Sequence, residues 1–202
     1  EMVDFFTRRF GQYPFEAAGG IADTHDSYYA LENQTRPTYD KATAEWSGLE
    51  STVAHELAHQ WFGDSVAVTR WRHIWLNEGF ATYAQWMWSA HDASRSVAAQ
   101  FDQAFSRPAS SDFWKLTVAD PGYPSMFDSP IYYRGAMALH ALRLTVGDRP
   151  FWRIMRAWPR IHEGGNAGTG DFKRLAERIS DQQLDRLFRQ WLVDGDKPAD
   201  PR

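Results

Sequence analysis

The sequence predicts an α+β fold that is predominantly helical and contains a small sheet. Most of the 202 residues lie in segments with helical periodicity, whereas strand-like segments are few and short. Hydrophobic residues make up 43% of the chain and ten residues are tryptophan, so a large core can be built. A chain of this length forms one good-sized domain. We therefore expect a single domain over residues 1–202 that ends in a helical region.

Composition and charge exclude several classes of protein. The net charge of −4 gives no reason to expect nucleic acid or an anionic membrane surface as a partner. No apolar run approaches the length of a membrane-spanning helix, and no leader peptide is recognisable at the N-terminus. Cysteine is absent, which excludes disulfide bonds and thiolate metal ligands. We expect a soluble protein, either cytoplasmic or secreted, because neither compartment is excluded.

The N-terminal half is predicted to contain four helices and two short strands. A capping box at Ser47-Gly48-Leu49-Glu50 is expected to begin the second helix, and Asn77 is expected to cap the third. The expected helices cover residues 2–10, 47–63, 78–91 and 94–105, and the expected strands cover 28–32 and 66–69.

The C-terminal half is predicted to be helical apart from two irregular segments. Proline and glycine break residues 106–129 into a long irregular crossing, and the glycine-rich segment 164–170 is expected to be a flexible connector. A second capping box, Ser180-Asp181-Gln182-Gln183, is expected to begin the last helix. The expected helices cover residues 131–146, 150–158, 172–179 and 184–193.

The segment His55-Glu56-Leu57-Ala58-His59 carries the most specific chemical signal. Residues i and i+4 of a helix share a face, so the two imidazoles can point at one ion. The neighbours of this segment are apolar nearly all round, which indicates burial. Burying two imidazoles and a carboxylate without partners would be costly, whereas coordination of both histidines by Zn²⁺ removes most of that cost.

Glu78 provides a second carboxylate from a separate segment. Together with His55 and His59 it would supply two nitrogens and one oxygen, leaving a fourth zinc position open for water. Glu56 could then take a proton from that water as a general base. Without a metal, Glu78 would be a first-turn glutamate that complements the helix dipole, and the histidine pattern would be a chance match in a core helix. The residues predict one Zn²⁺ per chain and a hydrolytic site.

Two longer segments, 55–64 and 75–83, closely resemble the aminopeptidase N family of gluzincin zinc peptidases. Upstream, Tyr29-Ala30-Leu31-Glu32-Asn33 occupies the place of the family's Gly-Ala-Met-Glu-Asn strand, with tyrosine for glycine and leucine for methionine. Downstream, Tyr132-Tyr133-Arg134-Gly135 matches the family's Tyr-Glu-Lys-Gly element. The resemblance covers about residues 15–191 and implies a thermolysin-like zinc peptidase catalytic domain.

The resemblance also implies roles outside the metal ligands. Glu32 would pair with the free amino terminus of a peptide substrate, and the strand from Ala30 to Asn33 would hold the peptide by strand addition. The Tyr132 hydroxyl would stabilise the tetrahedral intermediate, with Tyr133 as the alternative if the alignment shifts by one position. The structural alternatives are an exposed strand residue for Glu32 and a core aromatic for Tyr132.

Members of the family are longer than this chain. They usually carry a β-rich domain before the catalytic domain and often a helical domain after it, and nothing here resembles the β-rich domain. We therefore expect residues 1–202 to be the catalytic fragment of a longer enzyme, with that N-terminal β domain as its partner. Because the β domain lends a contact to the substrate amine, we expect the isolated fragment to bind zinc but to hydrolyse peptides poorly.

Three hypotheses about function follow from these residues and from the resemblance. The leading one is a zinc-dependent aminopeptidase that hydrolyses the N-terminal peptide bond of peptides by means of a metal-activated water. The second is a zinc endopeptidase or an epoxide hydrolase of the same fold. The third is a non-catalytic scaffold that binds a peptide or protein, against which the intact set of site residues argues. The sequence predicts neither the side-chain preference nor the oligomeric state.

Overall fold

A computed structural model describes residues 1–24, 29–46, 48–91 and 95–202 of the chain. Helices make up most of these residues, as predicted. None of the helices in the described ranges combines the length with the apolar character that crossing a bilayer requires. The helices are α1 Met2–Phe10, α2 Lys41–Ala44, α3 Leu49–His59, α4 Trp75–His91, α5 Val97–Phe105, α6 Ser129–Val146, α7 Asp148–His162, α8 Thr169–Ser180 and α9 Asp185–Leu192.

The strands form two small sheets in the described part of the chain. In the first sheet β3 lies in the middle, parallel to β1 and antiparallel to β2, with Ala30 opposite Tyr39 and Leu31 opposite Thr38. In the second sheet β4 and β5 pair in parallel. The predicted helix-rich α+β class is confirmed, although its strands are divided between two sheets. The strands are β1 Ile21–Ala22, β2 Ala30–Leu31, β3 Thr38–Tyr39, β4 Val66–Val68 and β5 Gly165–Ala167.

Helix α4 lies in the middle of the core and packs against α3 on one side and α6 on the other. Its residues from Trp75 to Ala84 are all buried. The ring of Phe80 lies 4.6 Å from that of Phe62 and 5.1 Å from that of Phe172, centroid to centroid. Aromatic pairs at such distances add favourable quadrupole interactions to the burial of their area. These aromatic contacts pack α4 against the turn that follows α3 and against α8.

Three predicted helix ends are wrong. Asn77 is not a cap, because α4 begins at Trp75 and the Asn77 N–H donates to the Ile74 carbonyl. The second capping box is also wrong, since Ser180 closes α8 and its hydroxyl donates to the Ala176 carbonyl. Helix α3 ends at His59, four residues earlier than expected. Ser47 of the first capping box, Tyr28 of the first strand and Ser94 of the fourth helix lie outside the described residues.

The glycine-rich connector and the prolines of α7 also differ from the predictions. Within the connector, Gly165–Ala167 forms β5 against Val66–Val68, so this segment is not merely flexible. Helix α7 continues through Pro159 to His162, because Trp158 and Pro159 both lie on its buried face. Tertiary burial outweighs the local helix-breaking tendency of proline here. Residues 106–129 are irregular as predicted, with two short 3-10 turns.

Candidate metal centre and active site

His55 and His59 lie one turn apart on α3 and face Glu78 on α4. Their Nε2 atoms lie 3.2 and 3.4 Å from Oε2 of Glu78. All three ligand atoms lie within 4.8 Å of one another. Two ligands of one tetrahedral zinc ion, each about 2.0–2.1 Å from the metal, are roughly 3.3 Å apart. The three side chains that the sequence singled out as ligands therefore form a group that could hold one metal ion.

The orientation of His59 is set by the turn that follows α3. Its Nδ1 lies 3.1 Å from the backbone carbonyl oxygen of Phe62. Because a carbonyl oxygen can only accept, Nδ1 carries a proton, and Nε2 is the ring nitrogen that faces Glu78. The His59 side chain is almost completely buried, whereas that of His55 is 13% exposed. The open side of the cluster is therefore at His55.

Charge in the cluster is balanced between His59 and Glu78. Burial alone would raise the pKa of Glu78, but the charge of His59 and hydrogen bonds from both histidines outweigh it and lower that pKa to about 2. Burial alone would lower the pKa of His59, but the Glu78 carboxylate raises it to about 10. A proton on His59 thus compensates the buried carboxylate. A divalent cation would replace this proton, because histidine ligates a metal only as the neutral imidazole.

Glu56 follows His55 on α3 and lies beside the three-residue cluster without belonging to it. Its side chain is buried, with 7% of the residue exposed. Burial raises its pKa, the positive charges of His59 and His55 lower it, and the negative charges of Glu32 and Glu78 raise it again, with a net increase. A carboxylate with a raised pKa takes up a proton more readily than an ordinary glutamate. Its position and its environment suit a proton acceptor.

The two adjacent tyrosines of α6 point in different directions. The ring of Tyr132 lies 6.0 Å from that of His55, nearly parallel to it. Burial, followed by the negative charges of Glu78, Glu32 and Glu56, raises the pKa of Tyr132, so its hydroxyl stays protonated. Tyr133 is 41% exposed, and its ring lies 5.3 Å from the guanidinium carbon of Arg107. The structure thus brings Tyr132 to the cluster and leaves Tyr133 outside it.

The segment Ala30–Asn33 borders the cluster at one edge of the three-stranded sheet. Ala30 and Leu31 pair with β3 on one side, and among the described residues no strand pairs with β2 on the other. Glu32 is partly buried, and its charge contributes to the pKa of both Glu56 and His59. Asn33 is turned toward β3, where its Nδ2 donates to Oγ1 of Thr38 at 2.9 Å.

Gln60 also belongs to this neighbourhood, although its sequence position alone predicts no role for it. Its side chain is fully buried and contacts the turn that follows β2. The signal in the sequence was a polar residue at the start of an otherwise apolar run, Gln60-Trp61-Phe62. A buried amide must find hydrogen-bond partners, so such a residue marks a point where two segments meet.

Comparison with known families decides where the chain belongs. The domain of peptidase family M1 matches residues 2–191, almost the entire chain. The chain belongs to peptidase family M1. Among curated relatives, aminopeptidase M1-C of Oryza sativa subsp. japonica is 33% identical over 209 residues, covering 93% of this chain and 23% of the relative. Aminopeptidase N of Streptomyces lividans is 28% identical over 202 residues, covering 93% of this chain and 22% of the relative.

Solved structures of the same family have the same fold. The M1 zinc metallopeptidase from Deinococcus radiodurans superimposes with a TM-score of 0.88 at 30% identity, covering all of this chain and 44% of that one. A mutant of that enzyme bound to a Tyr-Ser-Ala substrate superimposes with a TM-score of 0.87 at 29% identity, covering all of this chain and 45% of that one. The chain thus spans less than half of these structures and about a quarter of the curated relatives. The family predicted from the motifs is confirmed.

Proposed function

We propose that this chain is the catalytic part of a zinc-dependent aminopeptidase that hydrolyses the N-terminal peptide bond of peptides. The observation that carries the proposal is the convergence of His55, His59 and Glu78 within a chain of family M1. The relatives are named aminopeptidases and the solved neighbours zinc metallopeptidases, which supports exopeptidase action over the endopeptidase, epoxide hydrolase and scaffold hypotheses.

The zinc ion would be held by His55, His59 and Glu78. When bound, zinc lowers the pKa of a water molecule and polarises the scissile carbonyl. Glu56 accepts a proton from the attacking water and later delivers it to the leaving amine. Its raised pKa suits both halves of this task, because the carboxylate must hold the proton between the two transfers.

Tyr132 donates a hydrogen bond to the oxygen that gains negative charge as the carbonyl is attacked. A donor aimed at this developing charge stabilises the transition state more than the ground state. The raised pKa of Tyr132 supports this role, since the phenol keeps its proton throughout. Tyr133 is assigned no role in the chemistry, because it faces solvent and Arg107.

Substrate recognition is assigned to the edge of the three-stranded sheet. Glu32 pairs with the terminal ammonium of the peptide. This contact places the first peptide bond of the substrate at the metal. The backbone of Ala30 and the outer edge of β2 hold the extended substrate by strand addition. Asn33 belongs to the same segment, and its side-chain hydrogen bond to Thr38 fixes the end of β2 rather than the substrate.

The 202 residues are proposed to be a thermolysin-like catalytic domain within a longer enzyme. This accords with the share of each relative that the chain covers, about a quarter. The remainder of the enzyme is proposed to include the N-terminal β domain that completes the contact to the substrate amine. We therefore expect the isolated chain to bind one zinc ion and to turn over peptides much more slowly than the full-length enzyme.

The test compares wild type and Glu56→Gln in the full-length enzyme. Zinc content is measured by mass spectrometry, and activity is measured on leucine p-nitroanilide and on its N-acetylated form. The proposal expects one zinc per chain in both proteins, cleavage of the free-amine substrate by wild type alone, and no cleavage of the acetylated one. Equal turnover by Glu56→Gln would remove the base assignment, and equal cleavage of the acetylated substrate would remove the aminopeptidase assignment.

A further inference from the structure

Gln60 joins the helix of the two histidines to the turn that follows β2. It comes directly after His59, and its side chain is fully buried. Its Oε1 accepts a 2.7 Å hydrogen bond from the backbone N–H of Thr35. Its Nε2 donates to Oδ2 of Asp64 at 2.8 Å. A single amide therefore connects the end of α3 with a turn that lies 25 residues earlier in the chain.

The surroundings of Gln60 require an amide at this position. The second N–H of its Nε2 faces the carbonyl oxygens of Asn33 and Glu32, at 3.4 and 3.5 Å. These carbonyls can only accept, whereas the N–H of Thr35 can only donate. A carboxylate would lose the donors, and a hydrocarbon side chain would lose donors and acceptor alike. The amide orientation follows from its partners.

The turn that Gln60 holds is strained. Thr35 has a φ of +66°, in the left-handed region, and the N–H of Arg36 donates to the Asn33 carbonyl at 3.1 Å to close the turn. A β-branched residue rarely adopts a positive φ. Such a conformation persists only when surrounding contacts enforce it, and it is found most often near functional sites. Gln60 provides the buried contact that enforces it.

Glu32, the residue proposed to bind the substrate ammonium, lies between the end of β2 and this turn. Strand β2 has only two residues paired with β3, which is too short to fix the segment that follows it. We infer that Gln60 is a positioning residue, which holds Glu32 at the distance from the metal ligands that free-amine recognition requires. This inference rests on the proposed aminopeptidase function. Gln60 acts through Glu32 and touches neither substrate nor metal.

The first test replaces Gln60 by methionine in the full-length enzyme. Methionine has similar length but offers neither the donor nor the acceptor, so the turn loses its anchor. The expected result is a KM for leucine p-nitroanilide that rises by about tenfold, with kcat changed less than about threefold and one zinc per chain retained. Gln100→Met is the matched control, because Gln100 donates to the Trp86 carbonyl away from β2. An unchanged KM in Gln60→Met would overturn the inference.

A double-mutant cycle separates positioning from a general structural effect. Gln60→Met is measured in the wild-type and in the Glu32→Gln background. If Gln60 acts through Glu32, the rise in KM shrinks to within about twofold in the second background, because the two effects are coupled. An equal rise in both backgrounds would overturn the inference. Cleavage of N-acetylated substrate by wild type would instead overturn the proposed function itself, whatever the cycle shows.

A third test measures hydrogen exchange in the 202-residue chain and does not depend on enzymatic activity. The amide proton of Thr35 should exchange slowly in wild type and much faster in Gln60→Met, and equal exchange rates would contradict the inference. If the methionine variant does not fold, Gln60→Glu replaces it, since that side chain keeps the acceptor for Thr35 while losing both donors. The same cycle then applies, with the KM rise again expected only when Glu32 is present.

Discussion

Gly79 of α4 and Gly135 of α6 are in contact where the two helices cross. Glu78 lies beside Gly79 on α4, and Tyr132 lies one turn before Gly135 on α6. A Cβ on Gly79 would lie 2.8 Å from the Cα of Gly135, and a Cβ on Gly135 would lie 2.9 Å from the Cα of Gly79. Carbon atoms in contact normally stay about 3.5–4.0 Å apart. Neither position has room for a side chain, because backbone lies against backbone. The spacing between Glu78 and Tyr132 therefore depends on two glycines.

Gly79→Ala should destabilise the chain. Alanine favours a helix over glycine by about 0.8–1.0 kcal/mol, so an open site would gain stability. Overpacking at this crossing should reverse the sign, with a loss of about 1–3 kcal/mol measured by urea unfolding. Gly19→Ala is the control, because its Cβ would meet only Cγ of Arg36 at 3.8 Å. A Gly79→Ala chain as stable as wild type would show that the two helices can separate freely.

Removal of zinc should lower the melting temperature of the chain. A ligand at one hundred times its Kd stabilises the folded state by about 2.7 kcal/mol. For a domain of this size, that corresponds to a decrease of about 5–10 °C on treatment with EDTA, measured by differential scanning fluorimetry. Glu78→Gln should show little change with EDTA, whereas the exposed Glu163→Gln should behave as wild type. If EDTA leaves the melting temperature of the wild-type chain unchanged, that result would argue against a bound metal.

Tyr132→Phe should impair the chemical step in the full-length enzyme. Loss of one donor to the developing oxyanion should lower kcat by about 10²–10³ while KM changes little. Tyr133→Phe is the matched control, since that side chain is exposed, and its kcat should stay within about threefold of wild type. Steady-state kinetics on leucine p-nitroanilide gives both values. The reverse pattern would move the oxyanion role to Tyr133.

His140 should make the stability of the chain depend on pH. It is buried on α6, and its Nδ1 lies 3.3 Å from the Tyr83 hydroxyl. Burial, with help from two arginines, lowers its pKa to about 4 from an ordinary value of 6.5. The charged groups that act on it are Arg143, Arg202, Asp102 and Asp148. Between pH 6.5 and pH 4 the unfolded chain therefore binds a proton that the folded chain does not.

His140 makes its full contribution to the free energy of unfolding above pH 6.5. This contribution falls as pH decreases toward 4, by no more than about 2 kcal/mol, because solvent screens part of the interaction. In His140→Gln this part of the pH dependence should disappear, since glutamine accepts the tyrosine hydrogen bond without titrating. Urea unfolding at pH 4.5 and pH 7 gives the difference, with the exposed His91→Gln as control. Equal pH dependence in wild type and His140→Gln would refute this assignment.

The histidine pair could be predicted from sequence because its geometry is local. Residues four positions apart on a helix always share a face, so His55 and His59 needed no knowledge of the tertiary fold. The approach of Glu78 is different, since it depends on how α4 packs against α3. The sequence offered Glu78 as a candidate third ligand, and the resemblance to a family made that assignment specific. The same holds for Tyr132, which is brought to His55 by the glycine crossing of α4 and α6.

The strands were harder to predict because they are short and depend on distant partners. A strand of two residues, such as β1 or β3, shows no period of two. Strand β5 lies in a glycine-rich segment, and it is extended because it pairs with β4 across about a hundred residues. Gln60 was missed for a similar reason, since its partners lie on a turn that periodicity cannot place. Local patterns predict helices and ligand spacing, whereas long-range pairing decides the edges of the site.

The most direct measurement is anomalous diffraction at the zinc edge from crystals of the zinc-loaded 202-residue chain. One anomalous peak per chain is expected, at about 2.0–2.2 Å from Nε2 of His55, Nε2 of His59 and a carboxylate oxygen of Glu78. A crystal with stoichiometric zinc whose peak lies elsewhere, or that shows no peak among these three side chains, would contradict the account at its centre.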